Sequence, residues 1–315
     1  MAGSKLAVVG AGSVGTSLAY AALIRGSASS IALFDVNASK AEAEALDLAH
    51  GSQFAAASAT VDGGGDIAVT EGADVVVITA GAKQNPGQSR LDLAGTNVRI
   101  LEQLMPPLLA RAPDAVYVLV TNPCDVLTVA AQRISGLPPE RIFSSGTVLD
   151  TSRLRWLLAR RAGISVTSVH ASMVGEHGDT EFPLWSGATI GTVPIRDWTD
   201  DAGPVFTSDS LAATARDVVQ AAYKVIAGKG ATNYAIGLSG ARIVEALLRD
   251  DNAVLPVSTV LSGQYGISGV ALSLPSVVGR GGVHRVLDTP MDSGELEALQ
   301  LSADTLRNTM DRLGV

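Results

Sequence analysis

Through the first half of this chain, short apolar runs alternate with longer stretches whose apolar residues recur at helical spacing. Residues 6–9 (Leu-Ala-Val-Val) predict a buried strand, 14–25 a helix, and 31–34 a second strand that ends at Asp35. A polar-faced helix is predicted over 38–49. An apolar strand follows over 75–79, ending in Ala80-Gly81. A helix is then predicted over 91–110 and a strand over 116–120, ending at Thr121-Asn122-Pro123. β-Branched runs bounded by turn residues and separated by helical patterns predict a parallel, doubly wound α/β sheet, because parallel strands need helical crossovers that cover both faces.

After about Ser145 the pattern changes. Helical spacing is read over 150–162, strand-like residues over 166–174, and long helices over 208–227 and 234–249. Strand-like pieces punctuated by Gly and Pro follow, and a last helix is read over 295–313. This predicts an α+β domain over residues 146–315 behind an α/β domain over 1–145. Two stretches, 6–24 and 254–278, are poor in charge. Glycines at turn spacing in the first, and Pro256, Gly263, Gly266, Gly269 and Pro275 in the second, mark both as core rather than as membrane spans.

Composition supports that reading. With 47% hydrophobic and 17% charged residues, the 315-residue chain can bury a large core. A net charge of -8, with no cluster of Lys and Arg, argues against nucleic acid or an anionic membrane surface as partner. Cys124 is the only cysteine, which excludes an intrachain disulfide and fits a reducing cytoplasm.

Gly10-Ala11-Gly12-Ser13-Val14-Gly15 joins the first strand to the first helix, and Asp35 lies 20 positions beyond Gly15. In this context the glycines read as a dinucleotide cradle of the Rossmann type. Gly10 makes the tight turn, Gly12 lets a pyrophosphate approach the backbone, and Gly15 lets helix and strand pack closely. Asp35 suits the adenine ribose hydroxyls and repels a 2′-phosphate, so NAD is expected over NADP. Ala80, Gly81, Thr121 and Asn122 end strands of the same sheet, where ligands of such sheets sit. Whether Asn122-Pro123 is cis is open at this point.

The candidate acid/base is His177, in Gly175-Glu176-His177-Gly178-Asp179. Imidazole is the side chain best matched to proton transfer near neutral pH. Asp150 and Arg153 open the helix predicted at 150; read alone, Asp150 is an N-cap and Arg153 a surface residue. No Cys, His and Asp cluster has metal-ligand spacing, so no metal is expected. Cys124 reads as packing, and His50 and His284 lie in no motif.

The segments GAGSVG, TAGAKQNPGQSRLDL, TNPCD, SGTVLDTSRLR, GEHGDTEFPLWSG and KGATNYAIGLS, in this order, resemble the lactate/malate dehydrogenase family, on its L-lactate side. The resemblance covers nearly the whole chain. It implies NAD-dependent, reversible interconversion of pyruvate and L-lactate. His177 would be the proton donor and acceptor, Asp150 its orienting carboxylate, and Arg153 the two-pronged grip on the substrate carboxylate. Arg90 would polarise the ketone from a lid over residues 82–90 that carries Pro86 and Gly87. Asn122 and Thr232 would border substrate. Val14, Ser145 and Ile236 would join the glycines, Asp35, Ala80, Gly81 and Asn122 around the cofactor. Gln84 stands where malate enzymes of the family carry arginine, which favours pyruvate over oxaloacetate; malate or another 2-hydroxy acid is the alternative. Arg155 and His170 match the positions that carry the phosphates of fructose 1,6-bisphosphate in activated members, and the resemblance also implies a homotetramer.

Overall fold

The computed structural model describes residues 3–55, 57–82 and 90–315, and for residues 90 and 91 the backbone alone. Strands β1 (Lys5–Val9), β2 (Ser30–Phe34), β3 (Thr60–Gly64), β4 (Val75–Ile78), β5 (Val116–Leu119) and β6 (Ile142–Ser144) run parallel. Between them lie helices α1 (Ser13–Arg25), α2 (Ala38–Gly51), α3 (Arg90–Arg111) and α4 (Cys124–Ser135). Successive strand residues face opposite sides. Leu6, Val8, Val75 and Val77 pack with α1, whereas Ala7, Val9, Val76 and Ile78 pack with α3 and α4.

The second half begins with α5 (Val148–Ala162). Seven short strands follow: β7 (Val169–His170), β8 (Met173–Val174), β9 (Phe182–Pro183), β10 (Thr189–Ile190), β11 (Val193–Pro194), β12 (Thr199–Asp200) and β13 (Gly203–Pro204). Next come α6 (Ser208–Lys229), α7 (Tyr234–Arg249), β14 (Ala253–Leu255), β15 (Ser258–Ser262), β16 (Ser268–Ser273), β17 (Ser276–Gly279), β18 (Gly282–Val286) and α8 (Ser293–Leu313). The main sheet has the order β16-β15-β6-β5-β4-β1-β2-β3. Chain order reverses between β1 and β4, which opens the crevice where such sheets take ligands.

The halves are not independent bodies joined at residue 145. Antiparallel β15 and β16 extend the parallel sheet of the first half, and α7 lies directly on α1. That helix contact depends on glycine: a Cβ at Gly237 would come 2.7 Å from the backbone of Ser17, and one at Gly240 2.4 Å from Leu18. The crossing carries the N-terminus of α7, with Thr232 and Ile236, toward the nucleotide half. Arg25 on α1 also grips the buried Glu245 on α7 with two nitrogens, at 2.8 and 2.6 Å.

Two expectations change. The strand read over 166–174 is a single helical turn, Val166–Ser168, followed by β7 and β8 with Ala171-Ser172 between them. Ser165 causes this locally, because its hydroxyl accepts the Thr167 amide and turns the backbone out of extended geometry. Helix α5 starts two residues earlier than read, with Thr147 before it, so Asp150 lies inside the first turn rather than at the N-cap. The Asn122–Pro123 peptide is cis.

Candidate active site

The glycine loop is made by contact as much as by flexibility. Gly10 turns at φ 110°, and a Cβ there would lie 2.7 Å from the Ala80 amide. At Gly15 a Cβ would sit 1.9 Å from the Gly10 carbonyl oxygen, while at Gly12 it would meet nothing within 4 Å. Gly12 caps α1 with no side chain bonded to the helix amides. The 13-residue helix therefore presents its N-terminal donors at an open backbone face, as a pyrophosphate needs. Asp35 reaches the same loop: its carboxylate accepts from the Ala11 amide at 2.7 Å and from Asn37 at 2.9 Å. These residues fit a dinucleotide whose ribose hydroxyls meet a carboxylate. Val14 and Ile236 are partly buried beside the loop's core, and Gly81 is exposed. Ser145 is buried at the end of β6, its amide on Leu119.

The candidate acid/base, His177, is held by four separate segments. Asp150, on α5, is 2% exposed; one oxygen meets Arg153 Nη1 at 2.5 Å and the other lies 2.8 Å from His177 Nδ1. The last approach has ion-pair distance, and neither atom has any other partner as close. The backbone of His177 is held from the other half of the chain, its amide donating to buried Asp125 at 2.7 Å. Gly175, two residues before it, pairs with Ser273 of β16 in the main sheet. The loop that carries the imidazole is thus held between β16 and the start of α4.

Electrostatics follow from burial and neighbours. Burial alone would lower the His177 pKa, but the charge and close contact of Asp150 override it and push it up to about 9. Burial works to raise the Asp150 pKa, yet His177 and Arg153 hold it below the ordinary carboxylate value. At neutral pH the pair is imidazolium and carboxylate. Burial lifts Asp125 to about 6. Beside Arg153 lies a cavity of about 710 Å³, lined also by Leu149, Trp156, Thr232 and Tyr234. Arg153 and Thr232 thus both line this cavity, and Asp150 links Arg153 to His177, which is not itself part of the lining.

The family pattern "lactate/malate dehydrogenase, NAD binding domain" matches residues 4–144, and its "alpha/beta C-terminal domain" matches 147–313. This chain belongs to the lactate/malate dehydrogenase family. It is 51% identical to an L-lactate dehydrogenase of Bifidobacterium animalis subsp. lactis, over 99% of this chain and 97% of that one. The L-lactate dehydrogenase of Thermoanaerobacterium saccharolyticum is 43% identical, over 99% and 100%. The crystal structure of a lactate dehydrogenase from a Medee basin deep-sea metagenome library superposes with a TM-score of 0.96, at 36% identity and full coverage of both chains. The minor L-lactate dehydrogenase from Enterococcus mundtii, solved in a ligand-bound form, gives 0.94 at 39% identity over 98% of each chain.

Other sequence-derived positions of this family member fall as follows. Gln84 and lid residues 83–89 lie outside the described residues; Arg90 begins α3, and its side chain is likewise outside them. Asn122 is exposed, and its carbonyl accepts from Asn97 Nδ2 at 2.8 Å. Arg155 donates through Nε to the Ala171 carbonyl at 2.8 Å, next to the exposed His170. Burial lowers the Arg155 pKa. Among the described residues, no helix is long and apolar enough to cross a membrane.

Three residues escaped the sequence reading. Asn97, buried on α3, ties the end of β4 to the end of β5 by accepting from Ala82 at 2.8 Å and donating to Asn122. Nothing in the pattern of its helix signals that role. Asp125 stands in TNPCD and Glu181 in GEHGDTEF, segments already singled out for their neighbours. Asp150, His177 and Glu181 place one ligand-type atom each within 4.8 Å of one another, close enough to hold a cation, although no sequence spacing announced it. Arg153 already supplies positive charge at Asp150, which favours acid/base chemistry there.

Proposed function

We propose that this chain is an NAD-dependent L-lactate dehydrogenase, reducing pyruvate to L-lactate reversibly with His177 as the acid/base. The observation that carries this reading is the His177–Asp150–Arg153 set beside a cavity shared with Thr232, within a chain so similar to L-lactate dehydrogenases. Residues 1–145 supply the cofactor cradle, and 146–315 most of the substrate site, with Asn122 at the seam.

When bound, the nicotinamide supplies the hydride to the ketone carbon. The protein's own groups do the rest. Arg153 has N–H donors beyond the one given to Asp150, and these take the substrate carboxylate in a fork that lysine could not form. Imidazolium at His177 gives its proton to the carbonyl oxygen, and Asp150 stabilises the charged ring before transfer. Arg90, carried in by the lid, stabilises the developing alkoxide and helps to exclude water. In the reverse direction neutral His177 accepts the proton.

Asp35 favours NAD. Gln84, uncharged, suits the methyl group of pyruvate, because the second carboxylate of oxaloacetate would be desolvated without a partner. Arg155 and His170 belong to an effector site for fructose 1,6-bisphosphate. The protein works in the cytoplasm as a homotetramer; exposed Tyr20 and Ile24 on α1 and Leu238 on α7 offer apolar surface for association.

The test is NADH oxidation with pyruvate and with oxaloacetate, by the native chain and by Gln84→Arg, each with and without the bisphosphate. Pyruvate should be preferred by roughly a hundredfold in kcat/KM, and the substitution should move that ratio at least about tenfold toward oxaloacetate. The bisphosphate should lower KM for pyruvate. A native preference for oxaloacetate would overturn the substrate assignment, an unmoved ratio the role of Gln84, and an unchanged KM the effector site.

A further inference from the structure

A second carboxyl sits beneath the imidazole. The Glu181 side chain is 3% exposed, and its Oε2 lies 4.0 Å from His177 Nδ1 with no hydrogen bond of its own. The backbone on either side is fixed. Phe182 pairs with Val174 in the β8–β9 ladder. Ser302 of α8 donates to the Thr180 carbonyl at 2.8 Å, and the Thr180 hydroxyl donates to Glu176. Glu181 is therefore held in place rather than free to swing out to water. Three buried polar atoms, one each from Asp150, His177 and Glu181, converge without a hydrogen bond among them.

Such an arrangement is stable only if the charges balance. Around Glu181 stand Asp150 and Arg153 from α5, His177 from its own loop, and Asp125 from the start of α4, which Glu176 faces in turn. The carboxylates disfavour a further negative charge there, and the imidazolium and guanidinium favour it. Burial tips the balance and raises the Glu181 pKa to about 9, so that its carboxyl is neutral at pH 7. It then loses its proton in the same range as His177, and the two titrate as a linked pair. Each charge that appears on Glu181 makes the imidazolium harder to deprotonate.

We propose that Glu181 is a positioning residue for the proton transfer: its carboxyl fills the buried space beside the imidazole, steadies the ring against Asp150 and, where it ionises, helps the ring to keep its proton. The proposal rests on the acid/base reading of His177. Glu181 does not line the cavity beside Arg153 and acts only through the ring.

The test is the pH profile of kcat/KM for pyruvate in Glu181→Gln, Glu181→Asp and His177→Asn. Glutamine keeps the volume and removes the ionisable group. The alkaline limb of Glu181→Gln should move down by about half to one pH unit, so that its loss at pH 9 exceeds its loss at pH 6.5 by about two- to fivefold. Glu181→Asp keeps a carboxyl in the pocket and should place the limb between the two. A limb that stays at the native position, or an equal loss at every pH, would overturn the inference. If the glutamine variant does not fold, the aspartate variant decides by the same criterion. His177→Asn separates the two readings. Full activity in that variant would overturn the acid/base assignment itself, whereas an inactive His177→Asn with an unmoved Glu181→Gln limb would overturn the role of Glu181 alone.

Discussion

The cofactor cradle and the acid/base pocket are built on opposite plans. The cradle is a local structure made largely of backbone: one strand, one glycine loop, one helix N-terminus, and a carboxylate at the end of the next strand. The pocket joins side chains from α4, α5 and the loop before β9 to the backbone of the edge strand β16, spread over more than 100 residues of chain. A local design tolerates change wherever the backbone has room and fails where it has none. A distributed design fails whenever any of its anchors is lost, even one that never meets the substrate.

The sharpest way to break that contrast lies within the cradle. Gly15→Ala would drive a methyl group to 1.9 Å from the Gly10 carbonyl oxygen, so the loop or helix α1 must shift. A stability loss of about 3 kcal/mol in denaturant unfolding is expected. Gly12→Ala meets nothing within 4 Å and should leave unfolding unchanged while weakening NADH binding about tenfold, since the methyl group takes the space of the pyrophosphate. Equal unfolding curves for the two variants would mean that the loop is looser than its contacts imply. In the pocket, Asp125→Ala removes the acceptor of the His177 amide and leaves that N–H without a partner. Turnover of pyruvate should drop about a hundredfold, the scale of a displacement near 1 Å at a reacting group. Asp125→Asn retains an acceptor oxygen and should stay within about tenfold of native. Similar losses in both variants would point to the charge of Asp125 rather than to its hold on the loop.

The same contrast explains what could be read from the chain. The cradle was legible residue by residue because its parts are neighbours in sequence: Gly10, Gly12, Gly15 and Asp35 fall within one βαβ unit. Strands β1, β2, β4 and β5 were legible as well, since their faces are buried on both sides; β3, largely exposed, and β6, only three residues long, were not read. His177, Asp150 and Arg153 were assigned by resemblance, not by pattern; read alone, Asp150 looked like a cap. Asp125, Asn97 and Glu181 stayed hidden because a buried polar residue in a helix or loop carries no periodic signal, and its partner becomes visible only when the sheet order is known. The addition of β15 and β16 to the first sheet escaped for that reason too. Neither strand announces which sheet it will join, and residues of both halves share one core.

The account turns on a histidine kept protonated by a buried carboxylate, and the pH dependence of pyruvate reduction tests that most directly. A proton donor must carry its proton, so activity is fully present below the His177 pKa and lost above it, while lactate oxidation, which needs the neutral ring, rises through the same range. With Asp150 at 2.8 Å holding that pKa at about 9, kcat/KM for pyruvate should stay level through neutral pH and fall around pH 9. A fall centred near 6.5, the value of an ordinary histidine, would contradict the account, because Asp150 would then not be holding the proton on the ring.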